Sequence, residues 1–517
     1  MNTGMERMGE DPPVPTLTAL LARRAEDAGD REFLRFTDGS WTFGEIDAWT
    51  SRLAHRLIEV DGVRPGDRVA IMLPNVVHWP VVWLAALKAG AVVVPVNCSY
   101  RSADLAFVLR DSGARLVFTD AERAALVAEV RAPDVRVVDV ADDGSEPFPT
   151  QAPPVPAEAE TLANLQYTSG TTGFPKACML THDYWLRLGW VCAGATGLGA
   201  EDVILTAQPY SYMDPQWNTA LALTVGAPLV VLPRFSASTF MADVRRHGVT
   251  FFYVLGSMPT LLFKQPPTHE DRDNRLRMVF CSGIPVALHA KLEDRWGAPW
   301  REIYGMTESG VDLFSPLADT ETVGTGSLGG PVPTKRVRVV APDGSEVPDG
   351  EPGELVVAGK PIMTGYWNRP DATEAVLRDG RLHTGDLVVR GPGGGLRLVG
   401  RIKDMVRRGG ENVACAEVEA ALERDDRVVA AAVLAVPDEV LGEEVKAFLQ
   451  LRNGIAADRT TAEHIREQAG AQLARFKVPR YVEFVADFPR TPSERVSKPA
   501  LRERASGTTY DFSSRRS

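Results

Sequence analysis

Short apolar strands alternate with amphipathic helical segments through the first part of the chain, and this alternation is the strongest constraint on its fold. The run WPVVWLAALKAG (79–90) has a helical apolar pattern, and the β-branched run AVVVPVN follows it at 91–97. Further apolar runs predict strands at 69–73, 114–119, 229–232, 251–255 and 278–281. Strands that are separated by helices predict a largely parallel sheet with helices on both faces.

The pattern changes after Gly329, where short strands are separated by the turn dipeptides Asp343-Gly344 and Asp349-Gly350. This pattern predicts a small antiparallel β subdomain. From Arg401 onward the chain has its own helices and strands, which predicts a smaller, mobile α+β domain. We therefore predict three parts: a large α/β N-terminal domain at 1–400, a C-terminal domain at 401–505 and a disordered polar tail at 506–517.

Composition limits the class of protein. The chain has 517 residues, 44% of them hydrophobic, and a formal charge of −11, which fits a multidomain globular protein and disfavours nucleic acid or an anionic membrane as a partner. Its five cysteines show no metal-binding spacing. The N-terminus has acidic residues and prolines in place of a signal peptide, and no apolar run is long enough to span a bilayer. These features predict a cytoplasmic protein with no membrane span.

The segment YTSGTTGFPK (167–176) combines glycines, hydroxyls and a lysine directly after an apolar strand pattern. Glycines let backbone amides approach an anion, hydroxyls add donors and lysine adds charge, so the composition suits a polyphosphate. The glycine-to-lysine spacing differs from that of a P-loop. On composition alone, a surface loop is an open alternative. The candidate phosphate-binding residues are Thr168, Ser169, Gly170, Thr171, Thr172, Gly173 and Lys176.

This loop resembles the signature of the adenylate-forming superfamily, which includes acyl-CoA synthetases and aryl-CoA ligases. Four further segments resemble superfamily motifs in the same order: YGMTE (304–308), HTGDL (383–387), GRIKD (400–404) and GGENV (409–413). The resemblance extends over about residues 16–502. It implies an enzyme that activates a small polar or aromatic carboxylic acid as an acyl-adenylate, releases pyrophosphate and transfers the acyl group to coenzyme A.

The resemblance also implies roles for individual residues. ATP would be held by the loop residues above together with Gly283, Tyr304, Gly305, Thr307, Asp386 and Arg401. Glu308 would bind Mg²⁺ as the metal ligand, and Thr307 would contact the α-phosphate beside it. Lys403 would be the hinge of the C-terminal domain, and Gly409, Gly410 and Glu411 would line the entry for coenzyme A. A solvated hairpin tip is the structural alternative for this last group.

The C-terminal stretch departs from the superfamily pattern. Relatives usually carry a PxTxSGK motif whose lysine bridges the α-phosphate and the attacking carboxylate. This chain reads PRTPSERVSK at 489–498, so Glu494 replaces the glycine and Arg495 replaces the lysine. Arginine keeps the charge but presents a planar fork in place of a compact ammonium. Arg495 and Lys498 are therefore alternative catalytic cations, and a weakly adenylating enzyme is a third alternative.

The candidate acid pocket also differs from the usual pattern. The stretch QPYSYMDPQW (208–217) has Tyr212 where relatives usually have histidine, and its aspartate resembles the carnitine and crotonobetaine CoA-ligase branch. Asp214 and Trp217 would suit an amino or quaternary ammonium group through ion pairing and cation–π attraction. A helix-capping role for Asp214 before Pro215 is equally open. The candidate substrate-binding residues are Tyr212, Met213, Asp214, Trp217 and Gly283.

Two other functions remain as hypotheses. Some adenylate-forming relatives in actinomycete secondary metabolism activate nitrite and diazotise an aromatic amine, and such a diazotase is compatible with the altered C-terminal motif. A nucleotide-binding pseudoenzyme is the second alternative, although Lys176, Glu308 and Asp386 are all present. The leading hypothesis is the acid:CoA ligase with ATP, Mg²⁺ and coenzyme A as cofactors.

Overall fold

A computed structural model describes residues 11–131, 135–142, 147–168, 175–391, 394–408, 411–490, 496–503 and 507–512. The chain forms two compact units, Met1–Val337 with Val357–Leu382, and Arg338–Val356 with His383–Ser517. The first unit holds the large sheets and most of the helices. The predicted boundary at residue 400 stays a prediction.

The strands of the described residues are short, and most follow apolar runs of the sequence. They are β1 (Glu32–Phe36), β2 (Gly39–Thr42), β3 (Arg68–Met72), β4 (Val92–Pro95), β5 (Ala114–Thr119), β6 (Arg136–Asp139), β7 (Leu162–Thr168), β8 (Lys176–Thr181), β9 (Ile204–Thr206), β10 (Leu229–Val231), β11 (Phe251–Leu255), β12 (Met278–Ser282), β13 (Trp300–Met306), β14 (Gly310–Phe314), β15 (Gly330–Pro331), β16 (Lys335–Val340), β17 (Pro352–Gly359), β18 (Leu377–Arg378), β19 (Arg381–Arg390), β20 (Leu396–Arg401), β21 (Met405–Arg408), β22 (Glu411–Ala414), β23 (Val428–Asp438), β24 (Gly442–Leu451), β25 (Tyr481–Val485) and β26 (Thr509–Asp511).

The helices of the described residues lie mostly between consecutive strands, as the alternating pattern predicts. They are α1 (Leu17–Ala28), α2 (Phe43–Glu59), α3 (His78–Lys88), α4 (Ser102–Ser112), α5 (Ala121–Val130), α6 (His182–Thr196), α7 (Met213–Val225), α8 (Phe240–Arg246), α9 (Met258–Phe263), α10 (His289–Trp296), α11 (Pro370–Val376), α12 (Cys415–Leu422), α13 (Arg459–Gly470) and α14 (Lys498–Glu503).

The first unit contains two mainly parallel sheets. One has the strand order β6-β5-β3-β4-β7-β8 and is parallel except for the β7–β8 hairpin. The other has the order β15-β14-β13-β12-β11-β9-β10-β1-β2 and is parallel in its centre, with antiparallel pairs at both edges. Helix α3 is almost entirely buried, which explains its nearly continuous apolar sequence. These sheets confirm the predicted α/β class.

Two further sheets account for the rest of the predicted fold. One has the order β16-β17-β19-β18 with β20 beside β19, and its β19 pairs antiparallel with β18 and β20, as expected for the small β subdomain. The other, in the second unit, has the order β22-β21-β24-β25-β26 with β23 beside β24. Residues of β23 alternate between two apolar clusters, so both faces of this sheet are covered. The α+β prediction for the C-terminal region is confirmed.

The predicted disordered tail needs a correction. Thr509–Asp511 forms β26 and pairs antiparallel with β25. The ring of Tyr510 packs against Phe484 at a centroid distance of 5.8 Å, and the guanidinium of Arg466 lies 4.2 Å from the centroid of the Phe512 ring. These aromatic contacts order part of a segment that its polar composition assigns to disorder. Residues 506 and 513–517 lie outside the described range.

No helix in the described part of the chain is long and apolar enough to cross a membrane.

Candidate active site

Glu308, the predicted magnesium ligand, lies in the turn between β13 and β14 and is only 8% exposed. The hydroxyl of Tyr366 donates a hydrogen bond to Glu308 Oε1 at 2.7 Å. Burial, and then the charge of Glu308, raise the pKa of the Tyr366 hydroxyl, which therefore stays protonated as the donor. The buried Cys178 thiol is a second neighbour of this carboxylate, and burial followed by Glu308 raises its pKa as well. Neutral donors thus hold the carboxylate in place.

Lys176, the predicted phosphate-binding lysine, begins β8. Its Nζ lies 5.2 Å from the centroid of the Tyr366 ring. Thr168 ends β7 and faces Lys176 across the hairpin, so the two residues hold the ends of the predicted phosphate loop. The predicted phosphate-binding residues between them lie outside the described range, and their contacts with phosphate stay predictions. These residues are Ser169, Gly170, Thr171, Thr172 and Gly173.

Residues 359–367, which we call the bridging segment, connect β8 with the turn that carries Glu308. The amide of Met363 donates to the carbonyl of Glu308 at 2.7 Å. On β8, the Met179 amide donates to the carbonyl of Gly365 at 2.9 Å, and the Trp367 amide donates to the carbonyl of Ala177 at 2.9 Å. This backbone pairing places Tyr366 opposite Cys178, with which it forms an antiparallel bridge. The segment therefore fixes Tyr366 beside both Lys176 and Glu308.

A buried lysine stabilises the other end of the bridging segment. Lys335 and Asp312 are fully buried and form an ion pair at 3.3 Å. Lys335 also donates to the carbonyls of Ser309, at 2.9 Å, and Pro361. Because a buried ammonium is stable only when it is well paired, these contacts link the Glu308 turn firmly to the bridging segment.

Tyr304, Gly305 and Thr307 lie at the end of β13 and in the following turn. Tyr304 is buried, and the hydroxyl of Tyr184 donates to the carbonyl of Thr307 at 2.9 Å. A Cβ on Gly305 would come within 1.9 Å of the carbonyl oxygen of Gly310, so this position requires glycine. The tight hairpin fixes the direction in which the chain reaches Glu308.

Gly283 follows β12 with a φ of 91°, a conformation that favours glycine. The carboxylate of Glu302 holds this turn, since its two oxygens accept hydrogen bonds from the amides of Gly283 at 2.6 Å and Ile284 at 2.9 Å. Burial raises the pKa of Glu302 to about 7, although the two amides oppose this shift. Glu302 therefore shapes the turn at Gly283, a residue that the resemblance assigns to both ATP and the acid.

This elevated pKa predicts a pH dependence of stability. Glu302 starts from an ordinary pKa of 4.5 in the unfolded chain and reaches about 7 in the folded protein, so the folded state binds the additional proton between these values. The free energy of unfolding should therefore fall by about 3 kcal/mol as the pH rises through this window. We expect Glu302→Gln to have a flatter profile of Tm between pH 5 and pH 8 than the wild type. Parallel profiles for the two proteins would contradict this assignment.

Two of the predicted ATP-binding residues, Asp386 and Arg401, are neighbours in the second unit. Asp386 on β19 and Arg401 on β20 are directly opposite each other, and Arg401 Nε lies 2.7 Å from Asp386 Oδ1. Asp386 is 3% exposed. The turn before it is held by Glu354, which accepts from the Gly385 amide at 3.0 Å and pairs with His383 at 2.8 Å. A buried carboxylate beside an arginine suits hydroxyl donors such as those of ribose.

The predicted acid-site residues lie at the start of α7. Tyr212 is the N-terminal cap residue of this helix, and its hydroxyl accepts a hydrogen bond from Asn97 Nδ2 at 2.9 Å. Met213 and Asp214 form the first turn and are partly exposed. The Trp217 ring packs edge-to-face on Tyr253 at a centroid distance of 5.3 Å, and the Tyr253 hydroxyl donates to Ser282 Oγ at 3.0 Å. Trp217 and the turn at Gly283 are thus linked through Tyr253.

The C-terminal candidates are only partly described. Lys498 begins α14, and its Nζ lies 2.8 Å from Oε1 of Glu419 on α12. Burial opposes the charge of Lys498, but Glu419 raises its pKa above the ordinary value. Glu411 is exposed at the start of β22, and Lys403 lies in a short 3₁₀ turn. Arg495, Gly409 and Gly410 lie outside the described residues, so the roles predicted for them stay predictions.

These side chains fit Mg²⁺ and ATP. Among the described residues, no group of three or more His, Cys, Asp and Glu is arranged to hold a metal ion. Mg²⁺ commonly binds through one or two carboxylates together with substrate phosphates, and the single buried Glu308 matches this preference. The chemistry of Lys176 suits phosphate, and that of Asp386 suits ribose hydroxyls.

The structure adds three residues to those that sequence reasoning found. Tyr366, Glu302 and Glu354 each hold a predicted site residue or its loop by a hydrogen bond from a distant part of the chain. None of these three residues lies in a sequence motif that would predict such a hydrogen bond.

Together, the α/β architecture and the residues predicted to bind ATP and Mg²⁺ define an enzyme of the adenylate-forming class. The chain belongs to the AMP-binding enzyme family, whose pattern it matches over residues 21–367, and its residues 417–495 match the AMP-binding enzyme C-terminal domain. It is an AMP-forming acid:CoA ligase that works through an acyl-adenylate and uses ATP, Mg²⁺ and coenzyme A. The ligase hypothesis is thus confirmed, and the nitrite-activating alternative has no support.

Several relatives match most of the chain. The sulfoacetate–CoA ligase of Cupriavidus necator is 34% identical, over 93% of this chain and 96% of that protein. A feruloyl-CoA synthase from an Amycolatopsis species is 35% identical, over 93% and 97%. The crotonobetaine/carnitine–CoA ligase of Salmonella arizonae, from the branch that the pocket motif resembles, is 32% identical over 85% and 89%.

The fold agrees with that of solved ligases. The o-succinylbenzoate CoA synthetase of Bacillus subtilis, in complex with its acyl-adenylate intermediate, superimposes with a TM-score of 0.86. It is 27% identical in sequence, and the match covers 96% of this chain and 99% of that one.

Proposed function

We propose that this ligase activates a small polar or aromatic carboxylic acid, bound at the start of α7. In the first step an oxygen of the acid attacks the α-phosphorus of ATP, the bond to the bridging oxygen breaks, and pyrophosphate leaves. In the second step the sulfur of coenzyme A attacks the acyl carbonyl, the thiol loses its proton, and AMP leaves. Both steps bring anions together, so charge neutralisation is the main demand on the protein.

We assign the residues of the first step as follows. Lys176, Thr168 and the loop between them bind the β- and γ-phosphates, Glu308 holds Mg²⁺, and Thr307 contacts the α-phosphate. Tyr304, Gly305 and Gly283 surround the adenine, while Asp386 and Arg401 bind the ribose. The bound Mg²⁺ would supply positive charge to the triphosphate. The buried hydrogen bond of Glu308 to Tyr366 and the Asp386–Arg401 pair support these assignments.

The C-terminal cation is assigned to Arg495. The alternative, Lys498, forms an ion pair with Glu419, and Glu419 also accepts a hydrogen bond from the Val433 amide at 2.7 Å. This network supports a structural role for Lys498 within its own unit, which leaves Arg495 as the proposed catalytic cation. Lys403 would act as the hinge between the two half-reactions, with Gly409, Gly410 and Glu411 at the entry for coenzyme A.

The contact between Trp217 and Tyr253 is the observation that carries the acid-site proposal. It joins the start of α7, where Tyr212, Met213 and Asp214 lie, to the turn at Gly283 that follows β12. An aromatic wall next to an acidic side chain suits an acid that carries an amino group, a quaternary ammonium or an aromatic ring. According to their names, the relatives act on acids of different charge, so the charge preference of this site needs a direct test.

Acid-dependent AMP release with and without coenzyme A tests the proposal. Purified protein would receive Mg²⁺, ATP and matched acids of equal length that carry an ammonium, a hydroxyl, a methyl or a sulfonate group. An aromatic series with and without an amino substituent would accompany them. We expect small polar or amino-bearing acids to give the highest kcat/KM and long aliphatic acids the lowest. A preference for long aliphatic chains would contradict the proposed pocket.

Asp214→Asn tests the charge preference of the pocket. If Asp214 faces the acid, the variant should lose about 10-fold or more in the kcat/KM ratio of amino-bearing to neutral acids, because a charge-assisted contact is worth about 1.5–3 kcal/mol. Asp104→Asn is the matched control, since Asp104 is an exposed aspartate in the first turn of α4. Because Tyr212 and not Asp214 is the cap residue of α7, unchanged selectivity with an equal loss of Tm in both variants would leave Asp214 only a structural role in the first turn.

A further inference from the structure

Tyr366 contacts two groups of opposite charge, a carboxylate and an ammonium, with two different parts of its side chain. Its hydroxyl donates to Glu308 Oε1 at 2.7 Å, and the Nζ of Lys176 lies 5.2 Å from its ring centroid. The first contact is a hydrogen bond to a carboxylate, and the second is a cation–π contact within the usual range. A phenylalanine would lack the hydroxyl donor, and an aliphatic residue would lack both the donor and the ring face.

Backbone hydrogen bonds fix the position of Tyr366 relative to Glu308 and Lys176. The bridging segment pairs with β8 on both sides of Tyr366, and the Met363 amide is bonded to the carbonyl of Glu308 itself. Tyr366 is 8% exposed, so the ring does not swing into solvent in this arrangement. A side chain held at its backbone and packed at its ring can orient the groups that touch it.

We propose that Tyr366 is a positioning residue that aligns the metal-binding carboxylate of Glu308 and the phosphate-binding ammonium of Lys176 through one side chain. This inference rests on the function proposed above for Glu308 and Lys176. The hydroxyl is bonded to Oε1 and restricts the rotation of the carboxylate about its side chain. The ring face holds the ammonium beside the site without neutralising it, as a carboxylate partner would. Partners that orient a metal ligand commonly change metal affinity by about 10- to 100-fold when they are removed.

Two substitutions separate the two contacts. Tyr366→Phe removes the hydroxyl and keeps the ring, so we expect the Kd of Mn²⁺, used as a paramagnetic probe for the magnesium site, to rise about 10-fold. The Kd of α,β-methylene-ATP at saturating Mg²⁺ should change less than about 3-fold, because the ring still faces Lys176. Tyr366→Leu removes both contacts, and both dissociation constants should rise. Electron paramagnetic resonance and calorimetry measure these values without turnover.

Tyr210→Phe is the matched control. Its hydroxyl is fully buried and hydrogen-bonded to Thr219 at 3.0 Å, so the variant loses a comparable bond elsewhere in the same unit. Its Mn²⁺ affinity should equal that of the wild type. If Tyr366→Phe lowers Tm but leaves the Kd of Mn²⁺ unchanged, Tyr366 has only a structural role and the inference is wrong. The same conclusion follows if the phenylalanine and leucine variants affect both ligands equally.

Glu308→Gln distinguishes failure of this inference from failure of the proposed function. We expect it to weaken Mn²⁺ binding more than Tyr366→Phe does. If Glu308→Gln weakens Mn²⁺ binding and Tyr366→Phe does not, only the role of Tyr366 is overturned. If Glu308→Gln leaves Mn²⁺ binding unchanged, the metal assignment in the proposed function is overturned, and the inference with it.

Discussion

Arg495→Ala should lower ATP–pyrophosphate exchange by about 100-fold or more, because removal of one group that stabilises a developing charge typically costs 10²–10³ in rate. Arg495 stands at the position where the superfamily motif has its lysine. The exchange assay reports the adenylation step alone, so a later step with coenzyme A does not mask the loss. Arg495→Lys restores the usual residue and should keep activity within about 10-fold of the wild type.

Lys498→Ala should behave differently. Its ammonium pairs with Glu419, which also binds the backbone of β23, so the lysine stabilises the packing of α14 and α12 within the second unit. We expect exchange within about 3-fold of the wild type and a loss of about 1–3 kcal/mol in stability, seen as a lower Tm. Glu419→Gln should lower Tm in the same way. A large loss of exchange in Lys498→Ala with activity retained in Arg495→Ala would reverse the assignment.

Asp386→Asn should lower kcat/KM for ATP by about 100-fold, since two charge-assisted hydrogen bonds of about 1.5 kcal/mol each would be weakened. The carboxylate is buried and faces Arg401 on the neighbouring strand, so its geometry is fixed before the nucleotide binds. The wild type should also discriminate strongly against 2′-deoxy- or 3′-deoxy-ATP. The variant should lose most of this discrimination, because the acceptor for the ribose hydroxyls is weaker.

Asp349→Asn provides the control for this prediction. Asp349 is exposed, and its Oδ1 lies 3.6 Å from Arg390 Nε. The variant therefore removes a carboxylate charge beside an arginine, as Asp386→Asn does, but outside the candidate site. Its kinetics with ATP and with both deoxy analogues should match those of the wild type. If Asp386→Asn retains the wild-type preference for ATP over both analogues, Asp386 does not bind the ribose.

The central strands of the fold were predictable because they are buried on both faces. Such strands read as continuous apolar runs, and the predicted ranges 114–119 and 251–255 coincide with β5 and β11. The prediction of a disordered tail at 506–517 was wrong in part, because it was based on average composition. The polar average of this tail conceals Tyr510 and Phe512, whose rings find partners that are distant in sequence.

Some residues of the candidate site were likewise predictable from the sequence, and others were not. Glu308, Lys176 and Asp386 lie in ordered motifs, so the resemblance could name them. Tyr366 and Glu302 act through hydrogen bonds to residues whose proximity depends on the folded chain. A single sequence holds no information on which distant donor meets which acceptor. The choice between Arg495 and Lys498 depends on such contacts too, and the Lys498–Glu419 pair supports the proposal of Arg495.

The most direct test of the account is the fate of the nucleotide in a complete reaction. Protein, Mg²⁺, ATP, coenzyme A and an accepted acid would be followed by ³¹P NMR and by chromatography of the thioester. We expect AMP, pyrophosphate and acyl-CoA in equal amounts, with AMP formation dependent on the acid. Release of ADP and orthophosphate, or the absence of nucleotide cleavage with every acid of the panel, would contradict it.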